Sequence, residues 1–206
     1  MTGTMRTCAR ALGVVSMIVT LTIAAESRAW LVTSLGGRIA AVPGGDVLAL
    51  GLTTLPGSPR FVALVARLGA ARGDELWRIV PDPGVSVAAL ALHPSGDAIL
   101  VGSPGVLSVD SMTGAERWRT SVLDASSGSL VQVAVNAAGD VGAGASSDGV
   151  VKLDGATGAL RWQVLPGFPV KAVAVDDAGD VLAAGLPAGQ RAVRGMPRAA
   201  RGLGPE

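Results

Sequence analysis

Val133-Ala134-Val135-Asn136-Ala137-Ala138-Gly139-Asp140 decides the fold, because the chain repeats it. It returns as Val173-Ala174-Val175-Asp176-Asp177-Ala178-Gly179-Asp180 and, with substitutions, as Leu90-Ala91-Leu92-His93-Pro94-Ser95-Gly96-Asp97. A weaker copy, Ile39-Ala40-Ala41-Val42-Pro43-Gly44-Gly45-Asp46, precedes them. The Gly-Asp pairs begin at 45, 96, 139 and 179. A period of about 40–50 residues marks an array of supersecondary units that stack to bury a shared core.

The unit over 130–165 shows what one repeat contains. Leu130 to Val135 alternates with period two, the pattern of a half-buried strand. Asn136 to Asp140 is turn chemistry, since Gly accepts positive φ and Asn or Asp bonds nearby backbone. Val141 to Ala145 forms a second strand of small residues, and Ser146-Ser147-Asp148-Gly149 predicts a hairpin in which Asp-Gly favours a type I′ turn. Val150 to Leu153 is the third strand, Asp154 to Gly158 turns again, and Ala159 to Val164 is the fourth. Four short antiparallel strands joined by tight turns make one blade of a β-propeller.

A second landmark keeps the same period. Asp110-Ser111-Met112-Thr113-Gly114-Ala115-Glu116-Arg117-Trp118 and Asp154-Gly155-Ala156-Thr157-Gly158-Ala159-Leu160-Arg161-Trp162 share D-x-x-T-G-x-x-x-W. An earlier copy retains Gly73-Asp74-Glu75-Leu76-Trp77 but has Gly69 and Arg72 in place of Asp and Thr. Each repeated indole is expected to pack against a neighbouring blade, the usual fate of a large buried aromatic.

These residues resemble the tryptophan-docking repeat of pyrroloquinoline-quinone-like (quinoprotein-type) β-propellers. The resemblance runs over about 38–186 and rests on Asp110, Thr113, Gly114 and Trp118 and on Asp154, Thr157, Gly158 and Trp162. It implies an all-β propeller fold, in a group holding both dehydrogenases and non-catalytic outer-membrane assembly lipoproteins. Leu92 to Asp97 is also similar to a WD40 repeat, which ranks second because Leu153-Asp154 stands where that family has Trp-Asp. The family's dehydrogenases carry a paired-cysteine disulfide and a calcium-binding Glu/Asn/Asp set. Cys8 is the chain's one cysteine, so quinone binding is not expected.

The N-terminus reads as an export leader over 1–29. Arg6 and Arg10 precede an apolar run from Ala11 to Ala25, and Ser27-Arg28-Ala29 offers small side chains for cleavage before Trp30. A cut after Ala24 or Ala25 also fits. The run is short for a bilayer span, which needs about 20 residues. Cys8 lies ahead of the apolar run, not after it, so a lipid anchor there is not expected. Without the leader, the chain has no thiol for a disulfide or a thiolate metal site.

Composition narrows function chiefly by exclusion. Hydrophobic residues make up 49% but aromatics only 3%, with no Tyr, so the core is built from Val, Leu and Ala and no base-stacking surface is available. Net charge is +1, and the repeats taken alone are mildly acidic, which gives no electrostatic reason to expect nucleic acid.

The expected organisation is repeat units at 38–80, 87–121 and 130–165, a partial unit at 170–186, and a disordered Arg/Gly/Pro-rich tail over 187–206. The repeat region starts at 30, where Trp30 can be the last strand of a partial first unit. Propellers typically have 4–8 blades, so this count leaves two sheet faces open. Truncation or frameshift of a longer gene, pairing of two chains, or a small open array would each account for it.

No residue is nominated as catalytic, cofactor-binding or metal-binding, and no cofactor is expected. His93, the sole histidine, occupies the turn position held elsewhere by Val42, Asn136 and Asp176. Asp46, Asp97, Asp140 and Asp180, like Asp110 and Asp154, are expected to close their local turns through backbone N–H groups. Glycine-rich turns lack a following helix and a P-loop lysine. The expected function is an exported, non-catalytic interaction scaffold whose partner is protein, with membrane contact only through the leader and self-association possible at open blade edges. A quinone-dependent dehydrogenase fragment is the alternative. Leu52–Pro59, with Pro56, Gly57 and Pro59, is the candidate contact loop.

Overall fold

A computed structural model describes residues 38–54, 61–82, 86–122, 128–185 and, by backbone alone, 192–196. The leader lies outside the described residues. The first sheet contains β1 (Ile39–Ala41), β2 (Val47–Thr54), β3 (Phe61–Leu68) and β4 (Glu75–Ile79). The second contains β5 (Ser86–Leu92), β6 (Ala98–Ser103), β7 (Gly105–Val109) and β8 (Glu116–Ser121). The third contains β9 (Leu130–Val135), β10 (Asp140–Ala145), β11 (Val150–Asp154) and β12 (Leu160–Val164). The fourth contains β13 (Val170–Val175), β14 (Val181–Gly185) and β15 (Ala192–Met196). Each sheet is an antiparallel meander in chain order.

The first strands line up in the order β1, β5, β9, β13. The described residues therefore form a partial β-propeller, as its repeat predicts. No described helix is long and apolar enough to cross a membrane.

Period-two alternation explains how one sheet serves two neighbours. On β6, Ala98 and Leu100 pack toward the first sheet, whereas Ile99 and Val101 pack toward the third. On β10, Val141, Ala143 and Ala145 face the second sheet. Gly142 faces the fourth: a Cβ there would lie 2.8 Å from Val175, and one at Gly144 would lie 2.4 Å from Val170. The third and fourth sheets thus approach through glycine, where the first two interlock Leu48, Leu50 and Val65 with Leu90, Leu100 and Leu107.

Three expectations need correction. The proposed tail includes β15, which pairs along all of β14 from Val181↔Met196 to Gly185↔Ala192. Backbone bonding to an open strand edge requires no side-chain alternation, so the absence of that pattern in 187–198 hid the strand. The Asp148-Gly149 hairpin is wider than a two-residue turn, being closed by Ala145 N–H to Gly149 C=O (2.8 Å). Asp148 accepts from the Gly167 N–H (3.0 Å), which holds the loop against the next connection. Finally, Leu52 to Thr54 of the candidate loop belong to β2, in register with Phe61 to Ala63. The remainder of that loop, 55–60, lies outside the described residues.

Candidate interaction face

In a meander the turns after the first and third strands emerge at one end of every sheet, so both repeated motifs lie on a common face. The four Gly-Asp turns are one structure. Gly45, Gly96, Gly139 and Gly179 have φ of 93°, 91°, 88° and 84°. Each donates its N–H to the carbonyl three residues earlier, on Val42, His93, Asn136 and Asp176 at 3.0, 2.8, 3.0 and 3.0 Å. A turn ending in a left-handed glycine is the G1-bulge arrangement, in which Gly avoids the steric cost borne by other residues.

The aspartate after that glycine does not close its local turn, contrary to expectation. The turn-closing side chain sits four residues earlier: Asn136 Oδ1 accepts from Asp140 N–H and Asp176 Oδ1 from Asp180 N–H, both at 2.8 Å. In the first and third sheets the freed carboxylate serves the third strand instead, whereas Asp97 of the second accepts from Ser95 and pairs with Arg117 on the fourth strand. Asp46 accepts from Arg67 Nε and Nη2 (2.8 and 2.6 Å) and from the Ala70 N–H (2.9 Å). The Ala70 N–H, then Arg67, hold the Asp46 carboxyl below the usual carboxylate range. Asp140 pairs with Lys152 Nζ at 3.0 Å.

Arg67 and Lys152 are equivalent residues, each cross-strand from a repeat tryptophan: Arg67 from Trp77, Lys152 from Trp162. Both cations are buried. Each reaches a carbonyl in the next sheet, Arg67 Nη1 that of Ser111 (2.9 Å) and Lys152 Nζ that of Gly179 (2.5 Å). A buried charge is tolerable when it is paired and its remaining protons find acceptors. In the second sheet the same position is Ser108, opposite Trp118, and its buried hydroxyl has no partner.

The D-x-x-T-G segment behaves as expected. Asp110 Oδ1 accepts from the N–H groups of Met112 (2.8 Å) and Thr113 (3.0 Å), and Asp154 Oδ1 from those of Ala156 (3.1 Å) and Thr157 (3.0 Å). Those two N–H groups hold the Asp110 carboxyl below its ordinary value. Burial pushes Asp154 up, but Thr157 and Arg161 outweigh it and the net direction is down. In the first sheet Gly69 to Asp74 keeps the same backbone bonds without either side chain.

The glycine of the motif is a seat for the preceding sheet's indole. A Cβ on Gly114 would lie 3.1 Å from Trp77, and one on Gly158 would lie 2.5 Å from Trp118. The indole Nε1–H of Trp77 donates to Ser111 C=O (3.1 Å), and that of Trp118 to Gly155 C=O (3.0 Å). The Thr120 hydroxyl adds a bond to Gly158 C=O (2.6 Å). Trp162, equally placed, is buried, and its Nε1–H has no partner among the described residues. For Trp77 and Trp118 the packing expected of an indole on its neighbour thus has a specific form, glycine under the ring and a carbonyl at its edge.

Between the first three sheets this face opens into a cleft of about 570 Å³, lined by Val42, Pro43, Leu92, His93, Pro94 and Val135 with their turn neighbours. His93 is its sole titratable lining residue. Its Nδ1 lies 2.7 Å from Ser95 Oγ, which donates to Asp97 Oδ2 at 2.8 Å. The order is His–Ser–Asp with the hydroxyl in the middle, whereas a triad has the imidazole between hydroxyl and carboxylate. The other ring edge packs on the third sheet, since Cβ atoms on Gly139 and Gly155 would lie 2.4 and 2.9 Å from Nε2. Among the described residues no group of three His, Cys, Asp or Glu side chains is placed to hold a metal.

Comparison with known proteins agrees with this geometry. The family described as outer membrane protein assembly factor BamB matches residues 18–163 and 62–194. No curated protein matches the chain. Among solved structures, a Bacteroides caccae protein of unknown function is 20% identical with a TM-score of 0.51, covering 78% of this chain and 60% of its own. U3-55K is 11% identical with a TM-score of 0.60, covering 75% of this chain and 50% of its own. XC5397 from Xanthomonas campestris, described as a gluconolactonase, is 15% identical with a TM-score of 0.52, covering 77% of this chain and 59% of its own. At these identities the likeness is one of fold, and the chain spans about half to three-fifths of the structures it matches. Repeat, blade geometry and sequence match agree: the chain belongs to the BamB-type family of PQQ-like propeller-repeat proteins.

Proposed function

We propose that this protein is an exported, non-catalytic scaffold that holds a protein partner on the face formed by its Gly-Asp turns. The observation carrying this reading is the cleft at the sheet ends. It is open and built largely from Val42, Pro43, Leu92, Pro94 and Val135, and its one titratable side chain is committed to Ser95 and to the third sheet. Apolar side chains on rigid turns suit an extended peptide or loop, since a preorganised surface loses little entropy on binding. The family description names outer-membrane protein assembly, so the partner we propose is a protein of that apparatus. Export follows from the leader expected over 1–29.

The test is a photo-crosslinking residue at Pro94 of the exported protein in its own cells, with a second at Asp148 on the opposite sheet ends. A discrete protein adduct from position 94 that Leu92→Glu abolishes supports the proposal. Equal labelling from both positions, or alcohol or sugar oxidation by the purified protein with added quinone and Ca²⁺, overturns it.

A further inference from the structure

The four Gly-Asp turns form one row across the sheet ends, and its chemistry changes from one end to the other. The residues opening the successive turns are Val42-Pro43, His93-Pro94, Asn136-Ala137 and Asp176-Asp177. The first three pairs line the apolar cleft. The fourth adjoins it, because Asn136 Nδ2 donates to the Asp176 carbonyl at 2.7 Å. The cleft therefore ends at two exposed carboxylates.

The strand register shows why the acidity there is not neutralised as it is in other sheets. Asp46 and Asp140 each pair with a cation on the third strand, Arg67 and Lys152. Arg67 stands opposite Leu48 and Lys152 opposite Gly142, whereas the residue opposite the equivalent Leu182 is Gly195. Asp180 thus lacks the third-strand cation that Asp46 and Asp140 have. Asp176 and Asp177 add two more carboxylates where the third sheet has Asn136 and Ala137. The exposed arginines beside the outer turns do not compensate: Arg117 and Arg161 hold Asp110 and Asp154 of their own sheets, and Arg72 lies between β3 and β4, at the far end of the row.

The opposite sheet ends carry the other sign. Arg38 immediately precedes β1 and Lys171 lies near the start of β13, both exposed. Arg38 Nη2 crosses to the Val131 carbonyl (3.4 Å) and to Gln132 Oε1 (3.3 Å) on β9. The carboxylates at that end are engaged, Asp82 by Arg119 and Asp148 by the Gly167 N–H. The first strands therefore run from basic ends to a row of turns that finishes acidic. A field of this sense draws a cationic segment to the turn face and away from the other.

We propose that the segment held in the cleft is both apolar and basic: an extended peptide whose apolar side chains fill it and whose Lys or Arg reaches Asp176 and Asp177. This rests on the reading of the cleft as a protein-binding face and adds the chemistry that the face selects. Apolar burial supplies affinity. The carboxylates fix the direction of the segment, with its cation toward the fourth sheet, and reject an acidic segment by like-charge repulsion.

The third sheet supplies the variant that tests this. Asp176→Asn/Asp177→Ala copies Asn136-Ala137 onto the fourth turn, where Asn keeps the turn-closing bond that both residues make at 2.8 Å and two charges are lost. Fluorescence anisotropy of the purified protein is measured with short labelled peptides of equal length, alternating Leu-Lys, Leu-Glu or Ser-Lys. The proposal expects Leu-Lys to bind at least about tenfold more tightly than either of the others. The double variant should weaken Leu-Lys binding about fivefold, a loss that shrinks as salt is raised. Equal affinity for Leu-Lys and Leu-Glu overturns the charge selectivity and leaves the cleft reading standing. Ser-Lys binding as tightly as Leu-Lys, or a double variant that binds Leu-Lys unchanged, also overturns the proposal. Failure of all the peptides to bind overturns both the proposal and the cleft reading beneath it.

Discussion

The second and fourth sheets arise from the same repeat yet meet their surroundings differently. The second is covered on both sides: Ala98 and Leu100 face the first sheet, Ile99 and Val101 the third. The indole beside its outgoing face, Trp118, has a glycine below and a carbonyl at its edge. The fourth keeps its incoming side, Val181 and Ala183 against the third sheet, but leaves Leu182 exposed, and the indole that leads into it has an N–H without a partner among the described residues. Their Gly-Asp turns are equally well formed. Local turn chemistry therefore shapes each sheet, while docking of one sheet's tryptophan on the next sheet's glycine joins them.

Truncating the two indoles breaks this contrast most directly. Trp118→Ala removes a large side chain between two sheets and is expected to cost about 3–5 kcal/mol in urea unfolding. The subtler pair is Trp118→Phe and Trp162→Phe. The first forfeits a hydrogen bond and leaves the Gly155 carbonyl unpaired, a loss of about 1 kcal/mol, whereas the second removes a donor that has no acceptor and costs less. Equal losses would show that the Gly155 contact contributes nothing.

Glycine substitutions sharpen the same point. Gly96→Ala meets nothing within 4 Å and incurs only the strain of φ 91°, about 1–2 kcal/mol. Gly158→Ala has a comparable φ of 75° but drives a Cβ to 2.5 Å from Trp118, adding about 1–3 kcal/mol of overpacking. Chemical denaturation of both variants reads the difference.

The buried cation of the third sheet gives a smaller, asymmetric effect. Asp140→Asn strands the Lys152 ammonium, whose side chain is 3% exposed, whereas Lys152→Met leaves a carboxylate that is 27% exposed and can hydrate. Asp140→Asn is expected to destabilise more, by about 1–2 kcal/mol, because an unpaired buried charge is the costlier remnant. Reversal of that order would place the energy in packing of the lysine stem.

The smallest expected effect is in acid. Asp46, Asp110 and Asp154 have carboxyls held below their ordinary values, so their contribution is complete above the unfolded carboxylate range and is lost as pH falls through the lowered values. Thermal melting should be insensitive to these groups near neutrality and decline below about pH 4.

Strand order and the four-stranded blade itself were legible because period-two alternation and Gly-Asp punctuation are local signals. The caps of Asp110 and Asp154 were legible for the same reason, since their partners lie two and three residues away. The role of Asp46 and Asp140 was not: their partners, Arg67 and Lys152, are on another strand, and both residues also follow a turn that a local reading already explains. β15 was hidden because main-chain pairing to β14 leaves no mark in side-chain pattern. The cleft was invisible for a third reason, being lined by turn residues of three different units whose convergence depends on how the sheets are set around their axis.

The account depends most on the coupling between an indole and the glycine of the next sheet, and a double-mutant cycle on Trp118→Ala and Gly158→Ala measures it. With the indole gone, Gly158→Ala should cost no more than Gly96→Ala, giving a coupling of about 1–3 kcal/mol. Strictly additive losses would show that the ring and its seat do not hold the sheets together.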